Sequence, residues 1–309
     1  MPERQFSWAN RYLKGKVDWQ QMAEGNSSNR LFRGYWQGQV LILRVNAPGD
    51  VAFGVDRHKE YRILKLIAGQ SWAPDILYND WENGWCLMKE AGTVTSADHF
   101  SDTLQDQLIC CVNQWQRLNC FTSSTRTPYQ ALWNEYRRVY ARYSETGPAY
   151  AGSDKTSASA YLSLKPLEQL LELSWKRLQL LPELPLCLVH HDLHPGNLCL
   201  REGRLKVLDW EYGGFGIGWF DAAALRQQFA IESEKIMEMP VFTGLSTQEV
   251  LQGLDMADWL NSSLELLWHS VRCLLHRDGS EVLAERVLRA RKLLEDSTGK
   301  RSTLDLENI

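Results

Sequence analysis

A short apolar run, Leu186 to Val189, ends in His190, His191 and Asp192, and no other stretch constrains the fold of this chain as tightly. The run enters a core as a strand and stops where the polar residues begin. Asn197 then opens Leu198-Cys199-Leu200, which turns at Arg201-Glu202-Gly203-Arg204 and returns as Leu205-Lys206-Val207-Leu208-Asp209. Two apolar runs flanking a Gly-containing turn of about four residues predict a β-hairpin. Residues at its open end face each other with Cα atoms about 4.5–5.5 Å apart, which makes Asn197 and Asp209 neighbours. Asp192 lies on the loop leading into that end, five positions before Asn197. Three oxygen-bearing side chains therefore converge where one divalent cation could be shared. Each has a plain alternative when taken singly, because an Asp after a strand and the His194-Pro195-Gly196-Asn197 run are good turn formers. His190, His191, Asp192 and His194 also offer imidazole and carboxylate to zinc or iron. That reading leaves Asn197 and Asp209 without a part, and the next histidine is His269.

The spacing His-x-Asp-x-x-x-x-Asn (His190, Asp192, Asn197), followed by the strand-ending Asp209, resembles the aminoglycoside phosphotransferase and choline kinase superfamily. Its members are small-molecule relatives of protein kinases. The resemblance implies a protein-kinase-like, two-lobed α/β fold. A small N-terminal lobe with an antiparallel sheet and a helix would bind nucleotide. A larger, mainly helical C-terminal lobe would carry the catalytic hairpin. It also implies a kinase that uses ATP and Mg²⁺ to phosphorylate a hydroxyl. In protein kinases a loop Asp accepts the hydroxyl proton, while an Asn and a second Asp hold the metal. Carried over by position, Asp192 orients and deprotonates the acceptor, Asn197 and Asp209 hold Mg²⁺, and His190 braces the loop.

Further parts of the resemblance run in order along the first ninety residues. Glu24 to Phe32 offers a small polar turn whose backbone N–H groups, with the hydroxyls of Ser27 and Ser28, can approach phosphate. It is similar to the family's phosphate loop, which often ends in Ser or Thr followed by Asn, here Asn29. Leu31–Tyr35 and Gln39–Val45 read as strands, and period-two alternation puts Val40, Ile42 and Arg44 on one face. Arg44 stands where protein kinases put the Lys that grips the phosphates. The amphipathic segment after Asp56 supplies Glu60 as its ion-pair mate. Trp85-Cys86-Leu87-Met88 is a further strand, and Lys89-Glu90-Ala91-Gly92 is a hinge, so Met88 and Glu90 are expected at the adenine edge. Residues 1–91 are thus expected as the nucleotide lobe and 92–309 as the helical lobe.

The 309 residues suffice for two lobes, and a formal charge of −4 gives no broad basic field for nucleic acid or an anionic membrane. Seven cysteines without a Cys-x-x-Cys pair give no disulfide frame or zinc site. No apolar run approaches membrane length, and a cytoplasmic setting is expected. Helices are expected over 104–118, 131–143, 161–181 and 257–275. The Gly/Ser-rich segment 145–159 reads as a loop, either a linker or a lid over the acceptor. Where the family ends a helix in Leu-His, this chain has Gln116-Arg117-Leu118-Asn119, so a role for that histidine does not carry over. Asp221 matches a family Asp that bonds back to the catalytic loop, and it also reads as an N-cap.

The acceptor is a small-molecule alcohol on this reading, and two clues favour a cationic one. Asp209-Trp210-Glu211-Tyr212 resembles the choline and thiamine kinase branch, in which an aromatic residue and a Glu follow the metal Asp. Trp is abundant, at 13 residues. An aromatic face attracts a quaternary or thiazolium cation by roughly 0.5–2 kcal/mol. Most tryptophans are expected in the core, with Trp210, Trp259 or Trp268 and the carboxylate of Glu211 at the pocket. An aminoglycoside or sugar acceptor, or a regulatory pseudokinase, are the alternatives.

Overall fold

The computed structural model describes residues 2–22, 29–48, 52–96, 100–118, 128–146, 163–276 and 280–299. The expected phosphate-loop residues Ser27 and Ser28, and most of the 145–159 segment, lie outside these. In chain order the elements begin with α1 (Glu3–Leu13), β1 (Gln20–Gln21), β2 (Arg30–Trp36), β3 (Gln39–Val45) and α2 (Arg57–Leu66). Next come β4 (Ile76–Asp80), β5 (Trp85–Lys89), β6 (Thr93–Val94), α3 (Asp102–Gln116), α4 (Pro128–Thr146) and α5 (Lys165–Leu178). Then follow β7 (Leu186–Val189), β8 (Leu198–Arg201), β9 (Arg204–Val207), β10 (Gly214–Ile217), α6 (Trp219–Phe229), α7 (Ser233–Met237), α8 (Thr247–His276) and α9 (Ser280–Gly299).

The chain gathers into two compact units, one of residues 1–123 with 184–244, the other of 124–183 with 245–309. In the first, five strands form an antiparallel sheet in the order β1-β2-β3-β5-β4. Alternation along β3 splits its side chains between two environments. Leu41, Leu43 and Val45 join Phe32, Trp85 and Leu87 in a core that Ala9, Phe6 and Trp8 of α1 help to cover. Arg44 falls on the other face, next to its cross-strand partner Cys86. Asp56 caps α2 by accepting from the N–H groups of His58 and Lys59, which fixes where the helix carrying Glu60 begins.

The second unit is helical. Trp133 of α4 is fully buried and its indole N–H donates to the Leu171 carbonyl of α5, while the Tyr140 hydroxyl donates to Leu267 of α8. Helix α8 starts ten residues before the expected 257, because Val250, Gly253 and Leu254 continue its buried stripe at helical spacing. Among the described residues no helix is long and apolar enough to cross a membrane.

The segment from β5 to β6 crosses the hairpin strand β8 closely. Gly92 has φ +110°, and a Cβ there would lie 2.3 Å from the Leu200 carbonyl oxygen. Conformation and space both demand glycine. Gly92→Ala is expected to lower stability by about 2–4 kcal/mol. An unchanged urea midpoint would show that the crossing is not tight.

Candidate active site

Strand β7 is buried throughout and pairs antiparallel with β10, Leu186 opposite Ile217 and Val189 opposite Gly214. It delivers His190 and Asp192 to the site. The hairpin β8–β9 turns through Glu202 and Gly203 alone, with φ of 53° and 75°. This is a two-residue turn with both central residues left-handed, tighter than the expected four. One more ladder bond, from the Leu208 N–H to the Asn197 carbonyl at 2.8 Å, follows the Leu198–Val207 pair. Asp209 therefore stands one residue beyond the cross-strand partner of Asn197 rather than opposite it. Its backbone is left-handed, with φ 57° and ψ 61°, a conformation Asp tolerates better than most residues.

The carboxamide of Asn197 is fixed by its partners. Its Nδ2 donates to the Asp192 carbonyl at 2.8 Å and to Asp192 Oδ2 at 3.0 Å. Both are acceptors, so the amide oxygen is the end left for a cation. Asp209 Oδ1 is buried without a hydrogen-bond partner among the described residues, and Arg44 Nη1 lies 3.5 Å from it. Burial, then the charge of Glu211, pushes the Asp209 carboxyl up to about 7, although Arg44 pulls the other way. A carboxylate oxygen without a hydrogen-bond donor and a free amide oxygen, on facing ends of one hairpin, are hard-oxygen donors of the kind that fit Mg²⁺. The zinc or iron alternative does not fit. His190 Nε2 donates to the Leu208 carbonyl at 2.8 Å, and its Nδ1 accepts from the Asp192 N–H at 3.3 Å, so both ring nitrogens are committed to the loop. Among the described residues no cluster of three His, Cys, Asp or Glu is placed to hold a metal. Burial lowers the His190 pKa, which keeps the imidazole neutral in this role.

The loop is pinned from behind by Asp221. Its carboxylate accepts from the N–H groups of His190 (3.0 Å) and His191 (3.2 Å) and from the Trp115 indole at 2.9 Å. His191 has φ 65°, a left-handed conformation that these bonds hold in place. Asp221 sits in the first turn of α6, whose N-cap is Gly218, so the capping alternative does not apply. Burial raises the Asp221 carboxyl, and His190 and the N–H donors pull it back.

On the sheet side, Arg44 meets Glu60 of α2 at 2.5 Å, with both side chains buried. Burial opposes the Arg44 cation, but Glu60, with Asp209 and Glu211, leaves it more firmly charged than a free guanidinium. Asn29 turns its amide to protein partners: Nδ2 donates to Glu211 Oε2 at 2.8 Å, and Oδ1 accepts from the Ala47 N–H and from Arg57. At the hinge, Met88 pairs with Ile42, the Glu90 carboxylate binds Arg33 at 2.8 Å, and the Glu90 N–H donates to the Val40 carbonyl.

Two of the acceptor residues, Trp210 and Glu211, need correction. Trp210, expected at the pocket, is fully buried among Trp72, Trp115 and His190, with its indole N–H donating to the Val207 carbonyl. A side chain enclosed by three rings has no free face for a cation. Glu211 is likewise buried, at 6% exposure, with Oε2 accepting from Asn29 and Arg57. Trp259 and Trp268 lie on α8, where Arg177 stands 3.9 Å from the first ring centroid and Arg272 4.8 Å from the second. The residue that sequence reasoning missed is Arg57, whose signal was its position three before Glu60 on one helix face.

Known proteins resemble this chain in part of its sequence and in its fold. Mouse ethanolamine kinase 2 is 25% identical over 179 residues, which are 57% of this chain and 44% of that protein. Protein LicA of Haemophilus influenzae is 25% identical over 123 residues, 39% of this chain and 46% of LicA. The matched stretch thus spans less than half the length of either relative. In three dimensions, choline kinase LicA from Streptococcus pneumoniae superposes with a TM-score of 0.65 at 17% identity, covering 96% of this chain and 97% of that one. Aminoglycoside phosphotransferase APH(4)-Ia, in ternary complex with AMP-PNP and hygromycin B, gives 0.61 at 16% identity and covers 95% and 99%. At such identities the likeness is one of fold, an antiparallel N-terminal sheet with a larger helical part, as the sequence predicts. A profile of the phosphotransferase enzyme family (APH) matches residues 18–235, the span that holds Arg44, Glu60, Asp192, Asn197 and Asp209, and the chain belongs to that family.

Proposed function

We propose that the chain is an ATP- and Mg²⁺-dependent kinase that phosphorylates the hydroxyl of a small cationic alcohol of the choline, ethanolamine or thiamine kind. The observation that supports this reading is the bond of Asn197 to Asp192 at the mouth of a hairpin whose return strand leads into Asp209, with the Arg44–Glu60 pair beside Asp209. Asp192 Oδ2 is engaged by Asn197, and the side chain remains 38% exposed, so Oδ1 is free to accept a proton. As the acceptor oxygen bonds to the γ-phosphorus and the bridge to the β-phosphate breaks, the hydroxyl proton passes to Asp192. Asn197 and Asp209 would hold Mg²⁺, which when bound neutralises polyphosphate charge. Arg44 adds a fixed donor to the same phosphates. We place the nucleotide within 1–91 and the acceptor within 92–309, in a cytoplasmic protein.

The amino-alcohol preference draws on the ethanolamine kinase relatives and on the choline kinase fold likeness. An aminoglycoside acceptor is the second reading, favoured by the likeness to APH(4)-Ia. The test is ATP consumption by the purified chain against choline, ethanolamine, thiamine, homoserine, amino sugars and aminoglycosides. Turnover with an amino alcohol or thiamine alone is the expected result. Selective turnover of aminoglycosides would replace it with the second reading. Mg·ATP binding without turnover across the whole panel would make the chain a pseudokinase.

A further inference from the structure

The first unit contains a guanidinium that the catalytic scheme above does not use. Arg57, at the start of α2, is 16% exposed and touches three functional segments at once. Its Nη1 donates to Glu60 Oε2 at 3.0 Å and to Glu211 Oε2 at 2.9 Å, and its Nη2 donates to Asn29 Oδ1 at 2.9 Å. Asn29 closes the loop through its bond to Glu211. Glu60 divides its two oxygens between two arginines, Oε1 to Arg44 and Oε2 to Arg57.

We propose that Arg57 is a positioning residue for phosphoryl transfer: it orients Glu60, and through Glu60 it aims Arg44, while tying α2 to the turn that follows Asp209. The inference rests on the kinase reading for its activity readouts and extends it to a residue outside the phosphate-contacting set.

Three features separate this role from simple packing. The contacts join parts far apart in sequence, residue 57 to residue 211 and residue 29 to residue 211, and all of them converge beside the Arg44–Asp209 pair. Without Arg57, the carboxylates of Glu60 and Glu211 would lose the guanidinium that hydrogen-bonds to both, in a buried setting where weakened charge pairing is costly. Glu60 would then be held only by Arg44, and the direction of the Arg44 fork would no longer be set from behind. A lysine cannot replace the geometry, because one ammonium is a point charge and three acceptors in different directions need a planar fork.

The experiment compares the unaltered chain with Arg57→Lys, Arg57→Gln, Glu60→Gln and the Arg57→Gln/Glu60→Gln double variant. Mg·ATP dissociation constants are read alongside kcat and both KM values. Arg57→Gln is expected to weaken Mg·ATP about 10-fold and lower kcat/KM for Mg·ATP about 100-fold, with Arg57→Lys recovering less than half of that loss on a logarithmic scale. The acceptor KM should stay within about 3-fold, and the loss from Arg57→Gln should shrink below about 3-fold in the Glu60→Gln background, because both act through Arg44. A melting temperature that falls while the nucleotide constants hold, or losses that add in the double variant, would overturn the proposal. Should Arg57→Gln fail to fold, the same constants for Arg57→Lys decide it, and full recovery by Lys would count against the fork. Mg·ATP binding without transfer by the unaltered chain would reject the kinase reading alone, leaving the dissociation constants to judge Arg57. No Mg·ATP binding at all would remove both.

Discussion

Asp192→Ala is expected to lower turnover by about 10³-fold while leaving the Mg·ATP dissociation constant within about threefold. The asymmetry follows from how Asn197 is held. Its Nδ2 donates both to the Asp192 carboxylate and to the Asp192 backbone carbonyl, at 3.0 and 2.8 Å. Truncating the side chain removes the first bond and keeps the second, so the amide oxygen stays aimed at the cation site. The base that takes the hydroxyl proton is lost outright. Asp192→Asn makes the sharper comparison, since it preserves shape and removes basicity. Isothermal titration with Mg·ATP, set beside steady-state turnover on the best acceptor, separates the two quantities. Turnover retained in either variant would reject Asp192 as the base. Nucleotide binding lost in step with turnover would mean instead that the carboxylate is needed to hold the nucleotide.

The hairpin that carries this argument was readable because its signals are local. Leu198-Cys199-Leu200 and Leu205-Lys206-Val207 alternate about a glycine, and the ladder forms in the register that alternation demands. The Arg44–Glu60 pair was readable from the resemblance, which puts a cation at this place on the strand, and the helix after Asp56 offers its mate. The turn was read two residues too long, since Glu202 takes φ 53° at a position where sequence alone does not single out a left-handed residue.

What escaped was information carried by distant contacts. Trp210 follows Asp209 directly, and chain adjacency suggested the pocket. Its environment is set by Trp72 and Trp115, more than ninety residues away, which enclose it. The spacing of Arg57 from Glu60 is visible in the sequence, but its contacts with Glu211 and Asn29 are not. The second unit is assembled from two separate stretches, 124–183 and 245–309, on either side of the catalytic hairpin. Helical periodicity identifies the members of such a bundle and says nothing of which of them associate. Contacts of this kind belong to tertiary structure, and no window along the chain contains both partners.

Asp221 is where the largest loss of stability is expected. Its carboxylate is fully buried and accepts from two consecutive backbone N–H groups and one indole, and two of the donor residues, His190 and Trp115, are themselves fully buried. Asp221→Ala takes the acceptor from three donors, two of them on fully buried residues, and each buried group left unsatisfied costs about 1–3 kcal/mol. Partial relaxation brings the sum to about 3–5 kcal/mol. Asp221→Asn keeps the shape but turns an NH₂ toward some of the same donors, so it should cost about 2–4 kcal/mol rather than behave as a silent isostere. The loss should not stay local. His191 is held at φ 65° by the bonds that Asp221 accepts, and relaxing it would let the backbone of Asp192 drift from Asn197. Urea unfolding should therefore show a lower midpoint for both variants, and the folded fraction of Asp221→Asn should turn over more slowly than the unaltered chain under conditions where it is fully folded. A midpoint within about 1 kcal/mol of the parent for Asp221→Ala would mean that water or another acceptor reaches those N–H groups, and that the catalytic loop is supported from elsewhere.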